Sequence, residues 1–164
     1  MVDNVYLGNP NLKKANTPIE FSEENILEFM KCKNDPVYFA KKYIKIVSLD
    51  EGLVPFNLYP FQEKLVKNFH TNRFNICKMP RQTGKSTTVV SYLLHYAVFN
   101  DNVNIGILAN KAKIAMDLLG RLQTAYENLP KWMQQGIIAW NKGSLELENG
   151  SKILAASTSA SAVR

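Results

Sequence analysis

The stretch CKMPRQTGKSTTVV, residues 77–90, carries Gly-Lys-Ser at positions 84–86. A phosphate-binding loop usually reads G-x-x-x-x-G-K-[ST], and Met79 stands where its first glycine belongs. The flanks decide the reading. Ahead lies FNICK (residues 74–78), an apolar run rich in β-formers, expected as a buried core strand with Cys77 a small buried residue inside it. Behind lies KSTTVVSYLLHYAVFN (residues 85–100), apolar nearly all round and therefore a buried helix ending near Asn100. Pro80 prevents regular structure from running through. In a strand–loop–helix turn, successive backbone N–H groups curl round an anion, and the helix N-terminus adds a positive dipole. Gly84 permits close backbone approach. Lys85 is placed to reach the β/γ-phosphates, and the Ser86 hydroxyl suits Mg²⁺. The bland alternative is a solvated loop whose glycine ends one element and whose serine caps the next.

Working outward, residues 1–20 are polar, contain Pro10 and Pro18, and read as an arm rather than a core element. Ser22 can cap a short helix to about Lys31, with Glu23 and Glu24 in its first turn. Asn34-Asp35-Pro36 is a second helix start. IKIVSL and GLVPF around Asp50-Glu51-Gly52 form a hairpin, and Pro60 opens FQEKLVKNFH as a further helix. After the loop, VNIGILA (residues 103–109) is a second core strand, and Asn110 can cap a long helix to about Leu129. Strands alternating with helices imply an α/β domain with a mainly parallel sheet. From Gly136 the turn signals Asn141-Lys142-Gly143 and Asn149-Gly150 separate period-two segments, which indicates an antiparallel meander. Residues 21–72 form an N-terminal subregion and residues 73–164 the first part of the core.

The chain has 164 residues, 46% hydrophobic and 21% charged, enough for one substantial core. No run has the length of a membrane span, and the polar start is no signal peptide. Cys32 and Cys77 are too few for a disulfide framework or a zinc cluster, which points to an intracellular compartment. Net charge is +6 and the pI about 9.3, which makes an acidic partner such as nucleic acid plausible, although the basic residues are scattered. His70 and His95 have no partners at ligand or triad spacing and read as structural.

LYPFQ (residues 58–62), MPRQTGKST (residues 79–87) and WNKGSLELENGSKI…STSASAVR (residues 140–164), in that order, resemble the N-terminal ATPase region of tailed-bacteriophage large terminases, particularly the myovirus branch. The resemblance covers about residues 20–164. In that family a loop R-Q-x-G-K-[ST] lacking the first glycine is normal. It implies a P-loop NTPase fold of the additional-strand type, with ATP and Mg²⁺ as cofactors. Pro80, Arg81, Gln82, Thr83, Gly84, Lys85, Ser86 and Thr87 would hold the nucleotide, with Ser86 on Mg²⁺. Gln62 resembles the adenine-reading glutamine, and Tyr59 or Phe61 can pack on the purine. Arg81 looks like the loop arginine near the γ-phosphate, catalytic together with Lys85. Lys111, Lys113 and Arg164 are candidates for contact with DNA phosphates.

The resemblance also implies double-stranded DNA, a portal protein and a small terminase subunit as partners. It further implies a ring at the procapsid portal in the bacterial cytoplasm, and no membrane. Hydrolysis in this class needs an apolar strand ending in acidic residues. The acids after the loop, Asp101, Asp117, Glu127, Glu146 and Glu148, do not follow such a run, and Glu146 and Glu148 alternate with leucine on an outer strand face. The chain is therefore expected to be an incomplete domain, stopping before that strand and before the nuclease. It should bind nucleotide and hydrolyse it poorly. A helicase-like ATPase, a small-molecule kinase and a non-enzymatic interaction domain are the competing readings.

Overall fold

The computed structural model describes residues 4–48 and 50–158. Strands β1 (Val5–Tyr6) and β2 (Asn9–Lys13) form a hairpin at the start. Helix α1 (Glu23–Asn34) begins where the Ser22 hydroxyl accepts the Asn25 N–H, with Glu23 and Glu24 in the first turn. Helix α2 (Pro36–Tyr43) begins at Asp35, whose carboxylate accepts the N–H groups of Val37 and Tyr38. Strands β3 (Lys45–Ser48) and β4 (Gly52–Pro55) pair antiparallel as a two-stranded sheet of their own. Then follow α3 (Pro60–Thr71), α4 (Lys85–Phe99), β5 (Asn104–Ala109), α5 (Ala112–Glu127), β6 (Ile137–Trp140), β7 (Ser144–Leu147) and β8 (Lys152–Ser157).

The main sheet is mixed, in the order β5-β8-β7-β6. Among the described residues only β5 and β8 run parallel, from Asn104 opposite Lys152 to Ala109 opposite Ser157. Strands β6, β7 and β8 form the expected antiparallel meander. The expectation of a mainly parallel sheet is thereby corrected. Tight turns at residues 141–143 and 148–151 reverse the chain within a few residues, so the meander itself becomes the body of the sheet. Its last strand keeps one edge free, and β5 takes that edge.

Three further expectations fail for physical reasons. Residues 74–78 do not form a strand, and Phe74 and Ile76 are 82% and 101% exposed. An apolar run becomes a strand only where another edge takes up its N–H and C=O groups, and none of the described strands borders this one. Cys77 is accordingly half-buried, and Cys32 is the buried cysteine. Helix α5 is capped by Lys111 rather than Asn110, with no side-chain cap bond.

The third failure concerns the arm, which docks onto the core. Leu12 and Lys13 are buried. The Gln134 amide accepts the Lys13 N–H and donates to Asn11 O, while Lys13 Nζ lies 2.7 Å from Glu148 Oε1. Gly136 leaves the gap: a Cβ there would stand 2.5 Å from Ala15 Cα. Glu148 therefore faces the arm, whereas Glu146 stays on the outer face and pairs with Lys152 at 2.8 Å. Burial pushes the Glu148 carboxyl up, but bonds from Lys13, the Gly136 and Asn16 N–H groups and the lysine charge outweigh it and hold it below its ordinary 4.5.

Helix α5 lays Ala115, Leu119, Leu122 and Tyr126, one stripe at helical spacing, over the sheet, where Ile107, Leu145, Leu147 and Ile153 are buried. Each large side chain in this layer contributes about 1.5–3 kcal/mol on burial. Helix α4 packs on α5 and, on other sides, on α2 and α3. Within it His95 is 2% exposed, its Nε2 lying 2.9 Å from Cys32 O, among the rings of Phe39, Tyr92 and Phe99. Burial pushes the imidazole down to about 4, and the backbone contacts only partly offset it. His95 is a core residue. The C-terminal half of α4 is thus fixed, and its N-terminus inherits that position.

Candidate functional site

Gly84 is the N-cap of α4 and adopts left-handed φ (72°), as does Gln82 (63°). Thr83 between them does not, so the sign of φ alternates along residues 82–84. Backbone of this kind turns successive N–H groups toward one concavity, a fit for an anion. The loop is held from both sides. The Thr83 hydroxyl donates to Pro80 O at 3.1 Å, and the Thr88 N–H and hydroxyl both donate to Gly84 O, at 2.9 and 3.0 Å. Non-glycine residues rarely take positive φ, and Gln82 holds it inside this braced turn.

Gln62 supplies the third brace. It lies in the first turn of α3, following Pro60 at the first helical position, and is 3% exposed. Its Oε1 accepts the Tyr59 N–H at 2.9 Å and its Nε2 donates to Thr83 O at 3.1 Å. Gly84 is required by its φ, and a Cβ there would stand 2.5 Å from Gln62 Nε2 and push that amide away from Thr83 O. A primary amide has two lone pairs and two hydrogens. One of each is spoken for, leaving one donor and one acceptor, which is what a base edge demands.

A cleft of about 330 Å³ joins these parts. Gln62, Tyr59 and Phe61 line one part of it, and Gln82, Thr83, Gly84 and Thr87 another. Tyr59 and Phe61 are exposed and stacked, with ring centroids 5.7 Å apart and an interplanar angle of 7°, so they present an aromatic face rather than core packing. Ile46 and Phe56, from the hairpin region, line the wall together with Pro55 and Asn57. None of these was expected from sequence, because nothing in an alternating hairpin marks which face will border a cleft.

Arg81, Gln82 and Ser86 are exposed and Lys85 is half-buried. Lys85 and Arg81 make no ion pair with any described residue, so both charges remain available to an anion. Among the described residues no group of three or more His, Cys, Asp or Glu gathers as a metal site. Lys111 and Lys113 are exposed at the C-terminal end of β5, apart from the residues lining this cleft. Arg164 lies outside the described residues.

Comparison with known proteins gives two findings. The family model described as terminase large subunit, T4likevirus-type, N-terminal, matches residues 76–164. The crystal structure of the HK97 bacteriophage large terminase superposes with a TM-score of 0.64 at 19% identity, over 80% of this chain and 28% of that one. At that identity the second likeness is one of fold.

Proposed function

Because the chain belongs to the T4-type large terminase subunits, in their N-terminal region, we propose that it is the nucleotide-binding part of a DNA-packaging motor of the P-loop class. The observation that carries this reading is the alternating loop at residues 82–84, braced by Gln62 and set on the N-terminus of a fifteen-residue helix. In this reading the N–H groups of residues 82–87 and the Lys85 ammonium receive the phosphates. Ser86 offers its hydroxyl to Mg²⁺, which would neutralise charge between the phosphates. The free N–H and lone pair of Gln62 meet an adenine edge, with Tyr59 and Phe61 against the ring. Arg81, exposed and uncompensated, is placed to stabilise charge developing on a transferring phosphoryl group. Lys111 and Lys113 carry the DNA side of the proposal through phosphate contacts.

Coupling of hydrolysis to DNA translocation, assembly at a portal in the host cytoplasm and DNA cleavage are proposed for the whole protein. This chain spans 28% of the length of the HK97 terminase. Titration with a fluorescent ATP analogue tests the binding core of the proposal. Lys85→Ala should abolish binding while leaving the fold intact, and equal affinity in the variant would remove Lys85 from the site. Gln62→Ala should erase a preference for ATP over GTP that amounts to about 1–3 kcal/mol in the parent chain. Equal competition by GTP and ATP in the parent would remove Gln62 from base recognition.

A further inference from the structure

A second cavity, of about 310 Å³, lies between β3, α4 and α5. Its residues converge by the spacing of their elements. Arg121, Thr124 and Ala125 form one stripe of α5, and Thr87 and Val90 one stripe of α4. Strand β3 contributes Lys45 and Ile46, preceded by Ile44. Ile44, Val90 and Ala125 are buried and make an apolar floor.

The polar groups around that floor are of one kind. Lys45 and Arg121 come from different elements, both are exposed, and neither makes an ion pair with a described residue. The Thr87 hydroxyl has no hydrogen-bond partner among the described residues, so it too can donate. The Thr124 hydroxyl already donates, to Gly120 O at 3.1 Å. No carboxylate lines the cavity. A concave apolar volume with a few convergent polar groups is the common form of a small-molecule site, and here the free groups are two cations and a donor.

We propose that this cavity binds a small amphipathic anion, a phosphate or carboxylate on a compact apolar body, with Arg121 and Lys45 on the anion and the Ile44–Val90–Ala125 floor under the body. Arg121 can engage either anion bidentately. Ile46 and Thr87 also line the nucleotide cleft, so the two sites share a wall and any test must separate them.

Phenyl phosphate and benzoate serve as probes, with benzyl alcohol as the neutral body and inorganic phosphate as the bare anion. Backbone and methyl NMR shifts of the whole chain are followed during titration. Saturable shifts are expected at Ile46, Val90 and Ala125 with at least one of the two organic anions. Benzyl alcohol should bind about tenfold more weakly for want of a charge-assisted bond, and inorganic phosphate about tenfold more weakly for want of the apolar contact. Arg121→Gln, an exposed substitution, should weaken the anion by a similar factor, Arg121→Lys should restore part of it, and Lys85→Ala should change nothing. Shifts that centre on residues 82–86 and vanish in Lys85→Ala would overturn the proposal, because they would assign the anion to the nucleotide loop. Equal binding of benzyl alcohol, or no saturable shift below about 10 mM of either organic anion, would overturn it as well.

Discussion

Residues 104–109 and residues 74–78 are both short, apolar and rich in β-formers, and they lead opposite lives. The first segment is β5, paired along its whole length with β8, with Ile107 buried under α5. The second forms no strand, has no partner strand among the described residues, and leaves Phe74 and Ile76 exposed. The difference lies in what borders each segment. A strand is a property of a pair, and β8 offers β5 an edge that no described strand offers residues 74–78. The paired region is scaffold, whereas the unpaired one leads into a loop whose backbone N–H groups stay available to a ligand. Gln62 and the α4 helix, not a sheet, hold that loop in place.

The contrast is sharpest in the core. Ile153→Ala or Leu145→Ala should destabilise the chain by about 2–5 kcal/mol, since each side chain is fully buried in the core. Ile76→Ala should stay within about 0.5 kcal/mol. Urea unfolding midpoints measure both, and comparable losses at positions 76 and 153 would break the distinction.

A second effect divides α4 itself, whose first turn belongs to the open region and whose second half is locked. His95 is held neutral, down to about 4 against an ordinary 6.5. Its unfolded form therefore binds the proton first as pH falls. The stability it contributes is fully present above 6.5 and is lost between 6.5 and about 4, on the order of 3 kcal/mol. The Glu148 carboxylate, also lowered, adds a loss of the same sign below about 4.5. Thermal unfolding across this range should show the decline beginning above the carboxylate range, and His95→Phe should remove that first step. A flat profile from pH 7 to 5 in the parent chain would contradict the burial of His95.

The docked arm gives the smaller effect. Glu148→Gln weakens the Lys13 contact and should cost about 1–3 kcal/mol while opening residues 4–16 to proteolysis. Unchanged cleavage of the arm would show that Gln134 and Leu12 suffice to hold it.

What was legible in sequence was what neighbours in sequence decide. Ser22 and Asp35 start their helices because a cap acts on the next three residues, and Pro60 because its fixed φ suits the first helical position. Residues 45–48 and 52–55 pair, and Gly52 takes the left-handed φ that only glycine adopts readily. The turn into a buried helix was legible at Gly84-Lys85-Ser86, whereas the bond from Gln62 to Thr83 was not, since the two stand twenty-one positions apart. Docking of the arm was hidden because Lys13 meets Gln134 and Glu148, more than a hundred residues on. The failure at residues 74–78 has the same origin: apolar pattern reports what a segment can do, and only tertiary neighbours decide whether it does so.

Hydrogen exchange with and without ATP-Mg²⁺ tests the central claim most directly, because it reads both regions in one experiment. Without ligand, amides of β5, β7 and β8 should be protected and those of residues 74–84 should exchange fast. With ligand, protection should appear at residues 81–87 and at Tyr59 beside Gln62, and should disappear again in Lys85→Ala, while the sheet stays as it was. Protection gained only in the sheet, or the same gain in Lys85→Ala, would contradict the assignment of the loop as the nucleotide site.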